Sequence, residues 1–198
     1  GDSYVPTASA AKYLPRVGHH VYNGSAWVNE GVLAESESRV NLVTYSHDFT
    51  NTYWSDASPS ASVSLSNIPS PDGTPAYKIT GSVGNNYRLA AGRVGNNQTK
   101  SIYARTVSGT GTAHILSHNS VSGSLVTLTE EWQRFSLPSD TSETGGSNFY
   151  LVDFRGSNTL TEILVYGAQL EAGSTPSSLI PTSGSSVTRA AESFTIPS

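Results

Sequence analysis

The sequence predicts an all-β fold, an antiparallel sandwich or barrel, and three observations support this prediction. The 198 residues are rich in Gly, Ser, Thr and Asn, while only 13% of them are charged. Short apolar runs recur at intervals of about 8 to 12 residues, with turn-forming residues between them. No amphipathic helix of three turns is visible in the sequence. This combination is typical of many short strands joined by turns.

Residues 1–38 are predicted to form an N-terminal arm with one small hairpin. The apolar residues in this stretch are scattered and are interrupted by prolines and glycines, which disfavours an independent domain. Asn23-Gly24 lies between the apolar residues 21–22 and 26–28, and Asn-Gly is a strong turn signal for a hairpin.

Residues 39–172 are predicted to form the β-sandwich itself. Strong turn-forming segments such as Pro71-Asp72-Gly73 and Gly95-Asn96-Asn97 separate the strand candidates. The ten candidates are residues 40–45, 61–66, 75–82, 86–94, 98–107, 111–118, 123–128, 132–137, 148–155 and 160–170.

Residues 173–198 are predicted to form a C-terminal extended arm with one short final strand. This stretch is rich in Ser, Thr and Pro. An extended arm usually needs another surface on which to lie, and the sequence does not say whether its own chain or a neighbouring subunit provides that surface.

Composition and charge exclude several functional classes. The formal charge is −4 and the eleven basic residues are spread along the chain, so we expect no nucleic-acid binding. No apolar stretch is long enough to cross a bilayer, and we expect no membrane insertion. The chain contains no cysteine, which rules out disulfides and thiolate metal sites.

Alternation along two strand candidates assigns their side chains to opposite faces. The residues assigned to the core are Ile102, Ala104, Phe135 and Leu137. The residues assigned to the other face are Tyr103, Arg105, Trp132 and Arg134. In the candidate 148–155, if Tyr150, Val152 and Phe154 are buried, then Asp153 and Arg155 lie outside. Aromatic or planar polar groups would therefore stand beside arginines on the face away from the core.

A family resemblance rests on several segments in a fixed order. These are "ESRVNLVTYSHDFTNTYW", "PDGTPAYKIT", "QTKSIYAR", "LVTLTEEWQRFSL" and "ILVYGAQLEAGSTPSSLIPTSGSSVTRAAE". Over about residues 35–193 the chain resembles a jelly-roll module of fibres, spikes and head decorations in tailed phages and gene transfer agents, similar to carbohydrate-binding modules. The resemblance implies a two-sheet β-sandwich that attaches a particle to cell-surface polysaccharide.

The resemblance also raises the question of calcium, because the enzyme-linked modules often hold a structural calcium ion. In those modules an acidic pair in the last strand contributes to the calcium site. The corresponding segment here is Gly167-Ala168-Gln169, which lacks the carboxylates. We therefore expect no cofactor and treat calcium as doubtful.

A glycan-binding surface needs flat apolar groups for the C–H face of a pyranose and planar polar groups for its hydroxyls. The residues predicted to supply them are Tyr103, Arg105, Trp132, Arg134, Tyr87 and Arg88, with His114, His118, Asp153, Arg155 and Tyr53 as further candidates. Tyr87 and Arg88 are expected on a strand neighbouring the first four. The alternative is that these residues only form cross-strand pairs on a solvated face, each stabilising the sheet by about 0.2 to 1 kcal/mol.

The neighbouring rings of Tyr53 and Trp54 receive different interpretations. Trp54 follows Phe49 closely and is predicted to close one end of the core, whereas Tyr53 would point the other way, toward the surface.

Metal and catalytic sites are not predicted. His114 and His118 would lie about 13 Å apart on a strand, too far for one ion to bridge. Glu130-Glu131 is interpreted as a solvated corner, while Asp153 and Glu162 come from different strands and could converge. The sequence contains no nucleophile elbow, phosphate loop or zinc-protease motif. We expect no enzymatic activity.

The favoured interpretation is a non-catalytic, receptor-binding glycan module at the surface of a phage or gene transfer agent particle. Its partners would be host surface or capsular polysaccharide and, through the terminal arms, other particle subunits. The alternative is a structural adaptor or decoration subunit without sugar binding. A homotrimer or another ring of like subunits would suit either interpretation.

Overall fold

The computed structural model describes residues 16–22, 27–33, 35–56, 61–82, 88–118, 123–139 and 147–193. These ranges contain fourteen strands and no helix. Accordingly, no described segment is a long apolar helix that could cross a membrane.

Two five-stranded antiparallel sheets form the body of the fold. Sheet I has the order β10-β9-β12-β7-β4 and consists of β4 (Ser55–Asp56), β7 (Arg88–Val94), β9 (Gly111–Ser117), β10 (Ser124–Leu128) and β12 (Ser147–Asp153). Sheet II has the order β11-β8-β13-β6-β5 and consists of β5 (Ser62–Pro69), β6 (Pro75–Thr80), β8 (Gln98–Thr106), β11 (Gln133–Pro138) and β13 (Glu162–Ala172).

Two smaller antiparallel pairs complete the described elements. The strands β1 (Arg16–Tyr22) and β2 (Trp27–Leu33) pair with Tyr22 opposite Trp27, at the place where the sequence predicts a hairpin. The strands β3 (Arg39–Asn41) and β14 (Val187–Arg189) pair with Arg39 opposite Arg189.

The strand order identifies the sandwich as a jelly roll. From β6 to β13, each successive strand lies in the other sheet, with the single exception of the β9–β10 hairpin. This alternation places β11-β8-β13-β6 in one sheet and β10-β9-β12-β7 in the other, the arrangement of two Greek keys. The predicted all-β, two-sheet antiparallel fold is confirmed. Each of the ten predicted strand ranges overlaps an observed strand, whereas β4 was not predicted.

The main hydrophobic core lies between the two sheets. Ile102 and Ala104 of β8 are buried there, with Phe135 and Leu137 of β11 packed against it, as alternation predicted. Trp54 is also buried in this core, and its indole nitrogen donates a hydrogen bond to the carbonyl oxygen of Tyr45 at 2.8 Å. The packing role predicted for Trp54 is confirmed.

A second hydrophobic cluster involves the side chains of sheet II that point away from the main core. It consists of Ala76, Tyr103, Trp132, Leu164, Tyr166 and Leu179. Leu179 belongs to the predicted C-terminal arm and is only 2% exposed. The arm therefore packs against its own chain, which the sequence left open.

A bulge in β13 makes room for the arm. The pairing of β13 with β8 shifts register between Tyr166 and Gln169, and Gly167 in this interval has φ of +65°. A Cβ atom on Gly167 would lie 2.6 Å from Cδ2 of Leu179. Glycine thus meets two demands here, a left-handed backbone and close contact with the arm.

Candidate functional site

The predicted aromatic platform is buried. Tyr103 is 2% exposed and Trp132 is 8% exposed, and both belong to the second hydrophobic cluster. The indole nitrogen of Trp132 donates to the carbonyl oxygen of Pro69 at 2.9 Å. Alternation correctly placed these rings on the face away from the main core, but the expectation that this face is open is wrong, because the chain itself covers it.

Both arginines of this face have partners within the fold, and Arg134 contacts the C-terminal arm. Arg134 donates to the carbonyl oxygen of Ser177 at 2.7 Å, and its guanidinium lies 5.5 Å from the ring centroid of Tyr103. Arg105 is half-buried, donates to the carbonyl oxygen of Thr106 at 3.0 Å and lies 6.0 Å from the ring centroid of Trp132. Both guanidinium groups are therefore engaged within the fold.

The expected neighbouring strand lies in the other sheet. Arg88 begins β7, which pairs with β12 and β4 in sheet I, whereas Tyr103 and Arg134 lie in sheet II. The strands β7 and β8 follow each other in the chain but lie in different sheets, so Arg88 and Tyr103 do not share a face. The prediction that Arg88 extends the same platform is wrong. Tyr87 and the side chain of Arg88 fall outside the described residues.

Asp153, Arg155 and His118 do come together, beside sheet I. The carboxylate of Asp153 is fully buried and accepts hydrogen bonds from Nε of Arg155 at 2.8 Å and from the hydroxyl of Ser117 at 2.6 Å. Arg155 also donates to the carbonyl oxygen of His118 at 3.2 Å and stacks 5.2 Å from the ring centroid of Tyr150. The hydrogen bonds that Arg155 donates to Asp153 raise the pKa of Arg155, against the opposing effect of burial.

Asp153 is buried together with its chain neighbours Val152 and Phe154, because the alternation of buried and exposed side chains breaks at this point. Leu151 and Val152 both lie in the main core, as do Ile115 and Leu116 of β9, where Leu116 has φ of +59°. The expectation that Asp153 lies outside is therefore wrong, and His118 is also buried, at 4% exposure.

The remaining single candidates have local partners. His114 is half-buried, and its backbone N–H donates to the side-chain oxygen of Asn158. Tyr53 is half-buried, with its ring 5.3 Å from that of Trp54 and 5.9 Å from that of Tyr45.

The two carboxylates that could have formed a catalytic pair lie in different sheets. Asp153 ends β12 in sheet I, while Glu162 begins β13 in sheet II and pairs with Lys78 at 2.7 Å. Glu130 and Glu131 are exposed at a corner, where Glu130 accepts the backbone N–H of Gly109 at 2.6 Å. The carboxylates of Asp153, Glu162 and Glu130 thus each bind a partner within the fold.

The last-strand segment Gly167-Ala168-Gln169, where the sequence resemblance would place a calcium site, does not fit a cation. Nε2 of Gln169 donates to Oε2 of Glu171 at 2.6 Å and lies within 3.3 Å of the carbonyl oxygens of Ser177 and Ser178. The amide nitrogen of Gln169 therefore already lies between these oxygens, where a calcium ion would have to bind. Nowhere in the described ranges do three or more His, Asp or Glu side chains gather as metal ligands.

A surface groove at the edge of sheet II offers a different site. We call it the His47 groove; it consists of two adjoining cavities of about 520 and 280 Å³ that share His47, Asp48 and Pro181. The larger cavity is further lined by Leu65, Asp72, Thr74, Pro75 and Tyr77, and the smaller by Tyr45, Thr182 and Ser183.

Apolar surface in the groove comes from neighbouring strands. Leu65 of β5 lies opposite Tyr77 of β6 in the antiparallel register, and Leu65 is 62% exposed. The ring of Tyr77 is half-buried and packs edge-on against Phe49 at 5.6 Å between centroids, which fixes its orientation. The groove therefore presents an aliphatic side chain beside a rigid aromatic ring.

Two carboxylates of the groove are held by hydrogen bonds. Oδ1 of Asp48 accepts the hydroxyl of Thr50 at 2.6 Å and the hydroxyl of Tyr77 at 3.4 Å. Oδ1 of Asp72 accepts the hydroxyls of Ser70 at 2.5 Å and Thr74 at 2.6 Å, and its Oδ2 accepts the hydroxyl of Tyr166 at 2.6 Å.

Hydrogen bonding and burial shift the pKa values of two groove residues, Asp72 and His47. Burial acts to raise the pKa of Asp72, but the hydrogen bonds from Ser70, Thr74 and Tyr166 outweigh it and lower the pKa to about 2. Burial lowers the pKa of His47 below its ordinary value of 6.5, against the opposing effect of the Asp72 charge. At neutral pH the carboxylate of Asp72 is therefore ionised and His47 is neutral.

Sequence reasoning missed this groove, although two signals were present. His47 and Asp48 stand in a polar loop just before Phe49, and Ser70, Asp72 and Thr74 alternate across a Pro-Asp-Gly turn. Taken alone, each segment has the residue types of an ordinary turn. Only the pairing of β5 with β6 and the return of the C-terminal arm, which brings Pro181, place them in one surface.

Several carbohydrate-binding modules of known structure are similar to this chain. The C-terminal family 22 module of Clostridium thermocellum xylanase 10B is 14% identical, with a TM-score of 0.44 over 69% of this chain and 98% of that chain. The family 11 module of the same organism, in complex with a mixed-linked β-1,3-1,4 tetrasaccharide, is 12% identical, with a TM-score of 0.43 over 71% and 99%.

A further match involves a larger protein. A xylanase 10B structure that joins a family 22 module to a catalytic module, complexed with xylohexaose, is 10% identical with a TM-score of 0.42; the match covers 65% of this chain and 28% of that chain. The sequence matches no protein-family model and no curated protein. The sugars named for these modules are properties of those proteins.

Proposed function

We propose that this chain is a non-catalytic glycan-binding module that attaches a phage or gene transfer agent particle to the surface or capsular polysaccharide of its host. The observation that carries the proposal is the pairing, within the His47 groove, of an exposed apolar surface with oriented carboxylates. Leu65 and Tyr77 supply the surface for the C–H face of a pyranose ring. Asp48 supplies an acceptor for its hydroxyls.

The carboxylate of Asp48 is suited to that task. Its Oδ1 is occupied by Thr50 and Tyr77, while no described residue donates to its Oδ2. A carboxylate that is already oriented loses little conformational entropy when a sugar hydroxyl binds to it.

The particle context is supported by the sequence resemblance over about residues 35–193. A shallow groove of this kind makes weak individual contacts. Display of many copies on one particle would raise the avidity well beyond the affinity of a single module. The module would then act at the particle surface, with polysaccharide as its partner.

The test compares binding of the purified chain to host cells with and without capsule, and to immobilised polysaccharides. Leu65→Ala should weaken binding about tenfold, because it removes apolar contact area. Leu125→Ala is a matched control, since Leu125 is 48% exposed but lies on β10 in the other sheet. Both variants should fold normally, because exposed substitutions change stability by only about 0.5 kcal/mol.

Three outcomes would contradict this proposal. Binding that is lost equally in both leucine variants would place the site elsewhere. If the chain binds neither polysaccharide nor host cells, a structural adaptor is favoured instead. Release of reducing sugar from capsule would indicate an enzyme.

A further inference from the structure

We infer that the His47 groove sorts glycans by charge, binding those with free amino groups most tightly, uncharged glycans less tightly and acidic glycans most weakly. This inference rests on the proposed function and names the class of glycan that the same groove takes. The inferred charge order disfavours an acidic capsular polysaccharide as the ligand of the groove.

The first support is the uncompensated charge of the lining. Asp48 and Asp72 line the larger cavity, and neither cavity is lined by a lysine or an arginine of the described residues. The hydrogen bonds to Asp72 favour its charged form, while burial keeps His47 neutral at pH 7. A uronic acid or a sulfated sugar in this groove would therefore face two carboxylates and no cation.

The second support is the position of the aromatic rings. Tyr77 lines the larger cavity and Tyr45 the smaller, and the two cavities meet at His47 and Asp48. An ammonium group in the groove can contact a tyrosine ring while it donates to Oδ2 of Asp48, to which no described residue donates.

The size of the effect follows from Coulomb's law. At a contact open to solvent, one charge about 4 Å from another changes affinity by about tenfold, equal to about 1.4 kcal/mol and slightly above the bulk-water value of about 1 kcal/mol. We therefore expect steps of about tenfold from amino to uncharged to acidic forms of the same saccharide.

The experiment is a glycan array with amino, uncharged and acidic forms of the same backbones, such as β-1,4-linked oligomers of glucosamine, glucose and glucuronic acid. The whole chain is applied at pH 7 in low salt, and signals lost in Leu65→Ala are counted as groove-dependent. These signals should follow the predicted order, and a rise in NaCl to 0.5 M should reduce the differences between the three glycan forms.

Two charge variants distinguish an effect of the groove on glycan preference from an effect of the chain's net charge of −4. Asp48→Asn keeps an oxygen for Thr50 and Tyr77 but removes the charge, and it should reduce the preference for amino over uncharged glycans by about tenfold. Glu131→Gln removes the same charge at an exposed corner that does not line the groove, and it should leave the preference unchanged.

The outcomes distinguish this inference from the proposed function. Groove-dependent binding of acidic glycans that equals or exceeds binding of uncharged ones would overturn the charge order and leave glycan binding intact. An equal effect of both charge variants would also overturn it, since the preference would then come from net charge. Absence of groove-dependent binding to any glycan would overturn the proposed function, and the inference with it.

Discussion

The hydroxyl of Tyr166 donates a 2.6 Å hydrogen bond to Oδ2 of Asp72. This contact joins the second hydrophobic cluster, where Tyr166 is 1% exposed, to the rim of the His47 groove. The ring of Tyr166 also lies 4.7 Å from that of His47. A residue of the fold's interior therefore helps to fix the position of Asp72 and to lower its pKa.

Tyr166→Phe should separate these two effects. The ring stays in its cluster, but the loss of one hydrogen bond should lower the free energy of unfolding by about 1 kcal/mol. The pKa of Asp72 should rise from about 2 toward its ordinary value of 3.8, because one of the donors that favour the charged form is gone. Urea unfolding at pH 7 measures the first effect, and NMR titration of the Asp72 carboxyl carbon measures the second. An unchanged pKa would contradict the assigned hydrogen bond.

The same carboxylate predicts a pH dependence of stability. The pKa of Asp72 is lower in the folded chain than its ordinary value, so its contribution is fully present above about pH 4 and is lost as the pH falls toward 2. The stability that Asp72 contributes should therefore decrease with acid in the parent chain and decrease less in Tyr166→Phe. Unfolding curves of both proteins between pH 2 and pH 5 check this, and parallel curves would contradict it.

The bulge at Gly167 predicts a large effect from a single methyl group. Gly167→Ala should lower the free energy of unfolding by about 2 to 4 kcal/mol, because it adds the strain of positive φ to a clash with Leu179. Gly109→Ala is the matched control, since Gly109 has φ of +66° but no atom within 4 Å of the added Cβ. It should cost only about 1 kcal/mol, from the backbone alone.

Denaturant unfolding of both glycine variants measures the difference. The excess cost of Gly167→Ala should shrink in a Leu179→Ala background, where the clashing side chain is absent. Equal costs at the two glycines would show that the arm does not pack into the bulge.

The sequence predicted the strands of this fold well because alternation and turn chemistry are local. Ile102 and Phe135 lie in the predicted core, and Tyr103 and Trp132 lie on the predicted opposite face. Their burial was not predictable, since it depends on Leu179, more than 40 residues away in the chain. The groove was missed for the same reason, because His47, Asp72 and Pro181 meet only through long-range strand pairing and the return of the arm.

The contacts of Gln169 predict that calcium does not stabilise this module. Its amide nitrogen donates into the oxygens of Glu171, Ser177 and Ser178, and its Oε1 accepts the backbone N–H of Ile180 at 2.6 Å. The melting temperature should therefore change by less than about 1 °C when EDTA or millimolar CaCl₂ is added, because a ligand stabilises a fold only by binding to it. A rise of several degrees with CaCl₂, reversed by EDTA, would contradict this and reopen the question of a calcium site.

The buried ion pair beside sheet I predicts a strong and non-additive effect. Arg155→Ala leaves the fully buried carboxylate of Asp153 without its guanidinium, which should cost about 3 to 5 kcal/mol in the free energy of unfolding. Adding Asp153→Asn removes the stranded charge and keeps a partner for the hydroxyl of Ser117. The double variant should therefore be more stable than Arg155→Ala alone.

Lys78→Ala provides the comparison for this ion pair. Lys78 and Glu162 pair at 2.7 Å, but their side chains are 33% and 41% exposed, so water replaces the lost partner and the cost should stay below about 1 kcal/mol. Urea unfolding of the parent chain and these three variants at pH 7 measures the contrast. Two results would contradict this prediction: Arg155→Ala lowers the free energy of unfolding no more than Lys78→Ala does, or adding Asp153→Asn restores none of the lost stability. Either result would mean that Asp153 is not a buried charge that depends on Arg155. The break in alternation at Leu151 and Val152 would then not place Asp153 in the interior.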